Sequence, residues 1–183
     1  EGDQPSLLIG LISWARTLGL KIRVAGKASE YDFVLAEDDT LVWMGRRFPG
    51  SGLKSLWREN GRGWRVLAHS RRQAALKCDV PLRTVPDYCE MGLVANATGF
   101  IPDRPELHTP LLRPIELAEA FQLESEGGML KGEGRIDVFN CLRSEDEISF
   151  AGGVFVLVEC YDVETWSLLQ EKGHVVARNG RTA

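Results

Sequence analysis

The run Val-Phe-Val-Leu-Val at 154–158 constrains the fold more than any other stretch of the chain. Five consecutive apolar residues that lead out of a glycine pair read as a strand with both faces covered. A half-wet strand would alternate. Such a run belongs in the middle of a sheet. Gly152-Gly153 before it is explained equally by a tight turn and by close approach of backbone to a cofactor or another subunit. A second strand pattern, Leu20 to Ala25, alternates apolar with basic residues before Gly26, and Ile136 to Cys141 supplies a third.

Around these strands the spacing predicts helices. Leu7, Leu8, Leu11, Ile12, Trp14, Ala15 and Leu18 recur at helical intervals, with Pro5 suited to the first turn and Gly19 to the stop. Asp162 caps a helix from Val163 to Lys172, Gly173 ends it, and Val175-Val176 begins a last short strand. Shorter helical patterns cover Leu53 to Arg58, Ser70 to Lys77 and Ile115 to Phe121. Tyr31 to Leu35 and Thr40 to Met44 pair as a hairpin about Glu37-Asp38-Asp39, and Met91 to Ala95 reads as a strand that ends in Asn96-Ala97-Thr98-Gly99. The order of elements implies an α+β fold, a mixed β-sheet with helices packed mainly on one face. At 183 residues the chain is expected to be a single domain over 1–183.

Composition narrows the function. With 26 acidic against 22 basic residues the formal charge is −4, which argues against nucleic-acid binding through bulk positive charge. The 44% apolar and 26% charged residues are a globular mixture and exclude disorder and collagen-like repeats. The longest mainly apolar stretch, Leu7 to Ala15, is broken by Gly10 and Ser13 and falls well short of the roughly 20 residues of a membrane span. Cysteines at 78, 89, 141 and 160 form no C-x-x-C pair and have no histidine at zinc spacing, so buried, inert thiols in a cytoplasmic chain are expected. The start at Glu1, directly in Glu1-Gly2-Asp3-Gln4-Pro5, reads as an excised or processed segment.

Familiar catalytic motifs are missing. None of the glycine clusters completes G-x-G-x-x-G. Gly26-Lys27 fails as a phosphate loop because Lys21 replaces the earlier glycine and Ala28 the magnesium-binding hydroxyl. There is no G-x-S-x-G, and the histidines are only His69, His108 and His174. Other groupings remain open. Lys27, at a strand end with Glu30 and Asp32 after it, is either a solvated loop lysine or a proton donor or acceptor. Glu1, Asp3 and Gln4 suit helix capping, although three polar groups in four residues could equally hold substrate hydroxyls. Asp87, Tyr88 and Glu90 before Met91, with Asn96 and Thr98 after it, suit a ligand site or ordinary turn chemistry. Arg46, Arg47, Arg58, Arg62, Arg65, Arg71 and Arg72 form either a solvated face or a phosphate-binding patch.

Five segments together resemble a known family. They are Glu1-Gly-Asp-Gln-Pro5, Val24-Ala-Gly-Lys-Ala-Ser-Glu-Tyr-Asp32, Val85-Pro-Asp-Tyr-Cys-Glu-Met91 with Val94-Ala-Asn-Ala-Thr-Gly99, Asp137-Val-Phe-Asn-Cys-Leu142 and Phe150-Ala-Gly-Gly-Val-Phe155. The chain resembles the central domain of homoserine-dehydrogenase-like, SAF-domain-containing oxidoreductases, some of them 1-deoxy-D-xylulose 5-phosphate reductoisomerase-like. The resemblance implies an upstream Rossmann domain that holds NADPH or NADH, a downstream SAF domain, and a homodimer or higher oligomer. It also implies that the isolated chain is inactive. By similarity Lys27 and Glu1 are the catalytic candidates, and Asp3, Gln4, Glu90, Asn96 and Thr98 bind a small-molecule substrate. Asp3-Gln4-Pro5 and Gly26-Lys27-Ala28 replace segments of true homoserine dehydrogenases, which points away from homoserine. The reductoisomerase version, which makes 2-C-methyl-D-erythritol 4-phosphate in isoprenoid biosynthesis, calls for a phosphate anchor, which the region from Arg46 to Arg72 could supply, and for a divalent metal, for which no spacing singles out ligands. The competing class is a non-catalytic dimerisation or small-ligand-sensing module, with neither nucleic acid nor membrane as partner in either case.

Overall fold

The computed structural model describes residues 3–59, 61–82, 85–159, 161–173 and 176. Helix α1 (Asp3–Thr17) leads through Gly19, at φ 72°, into the 15-residue strand β1 (Lys21–Leu35). The expected strand from Leu20 and the expected strand at Tyr31 are therefore one element. β2 (Leu41–Trp43) turns back on β1 with Val34 opposite Val42, the hairpin that the acidic turn predicts, and β3 (Arg46–Phe48) follows. Next come a short 3-10 turn, α2 (Trp64–Lys77), α3 (Val85–Thr98), β4 (Ile101–Pro102), β5 (Leu111–Leu112) and α4 (Leu117–Ala120). β6 (Arg135–Arg143), β7 (Val154–Glu159) and α5 (Val163–Glu171) complete the order, and Asp162 accepts the Glu164 N–H at the start of α5.

The fold is α+β with a mixed sheet. β6 runs parallel to β1 along both of its ends, so β7 and β2 share the other side of β1, both antiparallel to it. Between Ala28 and Asp32 the register slips: β1 advances four residues while β6 advances two, from Phe139 to Cys141. That bulge follows directly on Lys27. Bulges re-aim side chains, and here Ser29 donates to Asn140 Oδ1 at 2.8 Å inside the sheet while Glu30 is left exposed.

Alternation along the strands makes two cores. Ile22 and Ala25 of β1 with Ile136 and Val138 of β6 pack under α1, α3 and Trp166 of α5. Val24 and Ala28 with Phe139, Cys141 and Phe155 pack under α2 and α4. A third cluster about Phe33, Leu41 and Leu142 closes the end that bears β2 and β3.

Helices thus cover both faces of the sheet and not mainly one, and further expectations change. Met91 to Ala95 is not a strand but the middle of α3. Met91 and Val94, three residues apart, turn to the same core, which only a helix permits. The apolar run of β7 is covered on both faces, Phe155 and Leu157 in one core and Val158 in the other, yet among the described residues β7 pairs only with β1 and lies at the sheet's edge. Its hydrophobicity reflects two-sided coverage and not central pairing.

α2 begins at Trp64, earlier than Ser70, directly after Gly63 at φ 84°. Cys141 is buried, and burial pushes its thiol up to about 11; Cys78 is half-buried and Cys89 exposed, contrary to the expectation of uniformly buried thiols. Among the described residues no helix is long and apolar enough to cross a membrane. Cys160 and Val175 lie outside the described residues.

Candidate functional site

Lys27 follows Ala25 by two residues, so its side chain leaves β1 on the face covered by α1 and α3. It is 2% exposed. A buried ammonium needs partners, and α3 provides two from successive positions on one helical face. Asp87 Oδ1 lies 2.8 Å from the ammonium, and Glu90 accepts a closer hydrogen bond from it. Glu30, on the β1 bulge, is at 3.9 Å, and it accepts from Gln4 Nε2 of α1 at 2.5 Å. Three carboxylates about one ammonium leave the cluster net negative.

Gly152 closes the rim. A Cβ there would lie 3.1 Å from Gln4 Nε2 and 3.3 Å from the Glu30 carboxylate, and φ of 72° disfavours any side chain. Backbone bonds from Gly152 N to Ser29 O and from Ala28 N to Gly153 O fasten this loop to the bulge. The glycine pair thus makes a tight turn, one of its two expected roles. Gln4 Oε1 is buried with no hydrogen-bond partner among the described residues, so it offers an acceptor beside Glu30.

Burial works against the Lys27 charge, but hydrogen bonds and attraction from Asp87 and Glu90 outweigh it and hold the lysine above its ordinary value. Burial pushes the Asp87 carboxyl up, only partly offset by Lys27. The two directions agree: both groups grip their protons, and Lys27 stands charged near neutrality. A charged, desolvated ammonium can polarise a carbonyl and protonate an alkoxide.

Of the residues singled out from sequence, the structure brings together Lys27, Glu30, Gln4, Asp87 and Glu90. Asp3 opens α1, exposed, and accepts the Gln4 backbone N–H at 2.9 Å without contacting Lys27. Its observed part is this one hydrogen bond in the first turn of α1. Asn96 and Thr98 are not at a strand end; they sit near the C-terminus of α3, six residues or about 9 Å of helix rise beyond Glu90 and more. Asn96 is exposed, and Thr98 Oγ1 donates to the Val94 carbonyl at 2.7 Å. Glu1 lies outside the described residues. Asp87 was visible as a polar neighbour of Glu90, but only helical spacing aims both at one lysine.

The arginines do not converge on Lys27. Arg71 is fully buried against Glu116, Arg47 pairs with Asp38 and Arg65 with Glu124, and Arg46 lies over the Phe48 ring. Among the described residues no three His, Cys, Asp or Glu side chains are grouped to hold a metal ion.

A second buried carboxylate went unnoticed in the sequence. Asp137, fully buried on β6, accepts backbone N–H groups of His108, Thr109 and Val138 at 2.8 to 3.2 Å. Burial raises it to about 6 despite these bonds. It pins the segment between β4 and β5 to the sheet.

Residues 84–181 match a protein family described as oxidoreductase DRL, catalytic domain, just over half of the chain. The matched region begins at α3 and takes in Asp87 and Glu90, whereas Lys27 precedes it. No curated protein matches the chain.

Proposed function

The chain belongs to the oxidoreductase DRL catalytic-domain family, and on that premise we propose that it is the substrate domain of an NAD(P)-dependent oxidoreductase in which Lys27 is the proton donor. The nicotinamide cofactor, when bound, supplies hydride. No glycine-rich dinucleotide cradle occurs in this sequence, so the nucleotide would be held by a separate domain, as the resemblance to Rossmann- and SAF-containing homologues implies. The metal that a reductoisomerase calls for has no ligand set among the described residues, and no step is assigned to one.

The carrying observation is the Lys27 ammonium, 2% exposed, clamped by Asp87 and Glu90 of the family-matched helix. As a carbonyl carbon accepts hydride, negative charge builds on its oxygen. An alkoxide is several orders of magnitude more basic than an amine, so a lysine with a raised pKa still transfers its proton, and the product is an alcohol beside a neutral amine. Asp87 and Glu90 fix the ammonium's position, and a carboxylate with a raised pKa beside it, Asp87, can help restore the proton.

The negative surround also selects substrate. Hydroxyl donors suit Glu30, Glu90 and the free Gln4 oxygen, whereas a phosphate set directly among these carboxylates would be repelled. A small polyhydroxylated ketone or aldehyde fits, with any phosphate directed away; 1-deoxy-D-xylulose 5-phosphate is one such compound.

The test uses the full-length protein with NADPH and NADH and a panel of small hydroxyketones. Lys27→Met should lower kcat by about 10²–10⁴ with a smaller change in KM. Near-normal turnover would remove Lys27 from the mechanism.

A further inference from the structure

Opposite the Lys27 site, on the sheet face covered by α2, a cleft of about 300 Å³ is lined by Arg65, His69, Arg72, Arg104 and His108 over a floor that includes Met129. We propose that this cleft binds a phosphate-type oxyanion, at a site separate from Lys27. The inference does not depend on hydride transfer.

Three guanidinium groups and two imidazoles line the cleft, and among the described residues no carboxylate does. Like charges collected in a concavity repel one another, a cost that an entering anion relieves. Two of the arginines have counter-ions outside the lining: Arg65 Nη1 meets Glu124 at 2.7 Å and Arg104 Nε meets Glu106 at 3.3 Å. Each guanidinium carries five N–H donors, so most remain available. Arg72, half-buried, has no hydrogen bond or ion pair among the described residues. It is the natural anchor.

One wall of the cleft is also anchored. His108 Nε2 donates at 2.9 Å to Asp103, whose carboxylate is fully buried and accepts the Lys131 N–H at 2.9 Å. His108 N in turn donates to Asp137 at 3.0 Å. The segment that carries Arg104 and His108 is thus fastened at Asp103 and at Asp137, which limits the ordering cost of binding. Phosphate is favoured over a carboxylate because three guanidinium groups lining one cleft offer more donors than two carboxylate oxygens can accept. A cavity of this size lies at the lower end of the roughly 300–1,000 Å³ range of small-ligand sites, which suits a compact anion and not a nucleic-acid backbone.

Separation from Lys27 follows from strand alternation. Ala68, three residues from Arg65 on α2, packs in the core of Val24 and Ala28, whereas Asp87 and Glu90 flank Met91, which packs in the core of Ala25 and Ile136. The sheet stands between them.

Calorimetric titration of the full chain at low ionic strength, with inorganic phosphate and with glycerol 3-phosphate, tests the site. One saturable event is expected, weakened roughly tenfold or more by Arg72→Gln and by Arg104→Gln, both checked for native circular dichroism. Lys27→Met should leave it within about twofold. Tighter binding of the ester supports a phosphomonoester ligand, and equal binding supports free phosphate; either upholds the cleft. The proposal is overturned if neither probe saturates, if both arginine variants bind as the parent does, or if Lys27→Met abolishes binding. Loss of turnover in Lys27→Met bears only on the oxidoreductase reading, so the two ideas fail separately.

Discussion

Arg71 places its guanidinium against both oxygens of Glu116, at 2.6 and 2.9 Å, and against the carbonyls of Leu56, Trp57 and Leu111. In the sequence it is one of seven arginines in a solvated-looking stretch, and no local pattern marks it as interior. Arg71→Met should destabilise the chain by about 3–5 kcal/mol in urea unfolding, because Glu116 is left charged and buried; Glu116→Gln in the same chain should recover part of the loss. Asp137 makes a pH prediction. Its folded value, about 6, lies above the ordinary 3.8, so the folded chain takes up this proton before the unfolded chain does. The stability it contributes is therefore complete below about pH 4 and is lost as pH rises through about 6, at most about 1.4 kcal/mol per pH unit. Subtracting the stability–pH curve of Asp137→Asn from that of the parent should expose this fall between pH 4 and 6 and a plateau above it; a flat difference would refute it.

Helices and strands differ in how much of them the sequence reveals. The α1 pattern, with Gly19 behind it, is legible because Leu8, Ile12 and Ala15 recur at helical spacing and fill one core, although Leu7 stays exposed, and the hairpin is legible from its acidic turn. α3 is not: Met-Gly-Leu-Val-Ala carries no polar interruption to separate a period of 2 from one of 3.6, and Leu93 is exposed although apolar. Asp87 and Glu90 are neighbours in the sequence, but only the helix that runs through them aims both at Lys27. The long β1 shows why Gly26 precedes Lys27. A Cβ at Gly26 would fall inside the Asp137 carbonyl oxygen and 2.9 Å from the Phe155 ring, its partner across β7. Gly26→Ala should cost about 1–3 kcal/mol through the backbone shift it forces. Gly10→Ala, on the exposed side of α1 with nothing within 4 Å, should instead stabilise by about 0.5–1 kcal/mol. Thermal unfolding of the two variants reads both signs.

At the scale of the whole molecule the sheet is a partition. Lys27, Gln4 and Glu90 were legible from sequence because chemistry clusters near β1 and α3, but which side of the sheet each group faces depends on pairing between segments more than a hundred residues apart, such as Gly26 with Asp137. The same partition explains why the arginine-rich region, which the sequence leaves as a solvated face or a phosphate-binding patch, supplies Arg65 and Arg72 to the face opposite Lys27. It predicts which substitutions interact. Lys27 and Glu90 share a hydrogen bond inside one cluster, so Lys27→Met and Glu90→Gln should be non-additive in unfolding free energy, coupled by about 0.5–3 kcal/mol. Lys27 and Arg72 belong to layers on either side of the sheet, with no partner in common, so Lys27→Met and Arg72→Gln should add to within about 0.5 kcal/mol. Urea unfolding of the three single and two double variants beside the parent measures both couplings. A coupling above about 1 kcal/mol between positions 27 and 72 would mean that β1 and β6 shift together when either face is perturbed, so that an anion bound under α2 would reach the lysine through the sheet.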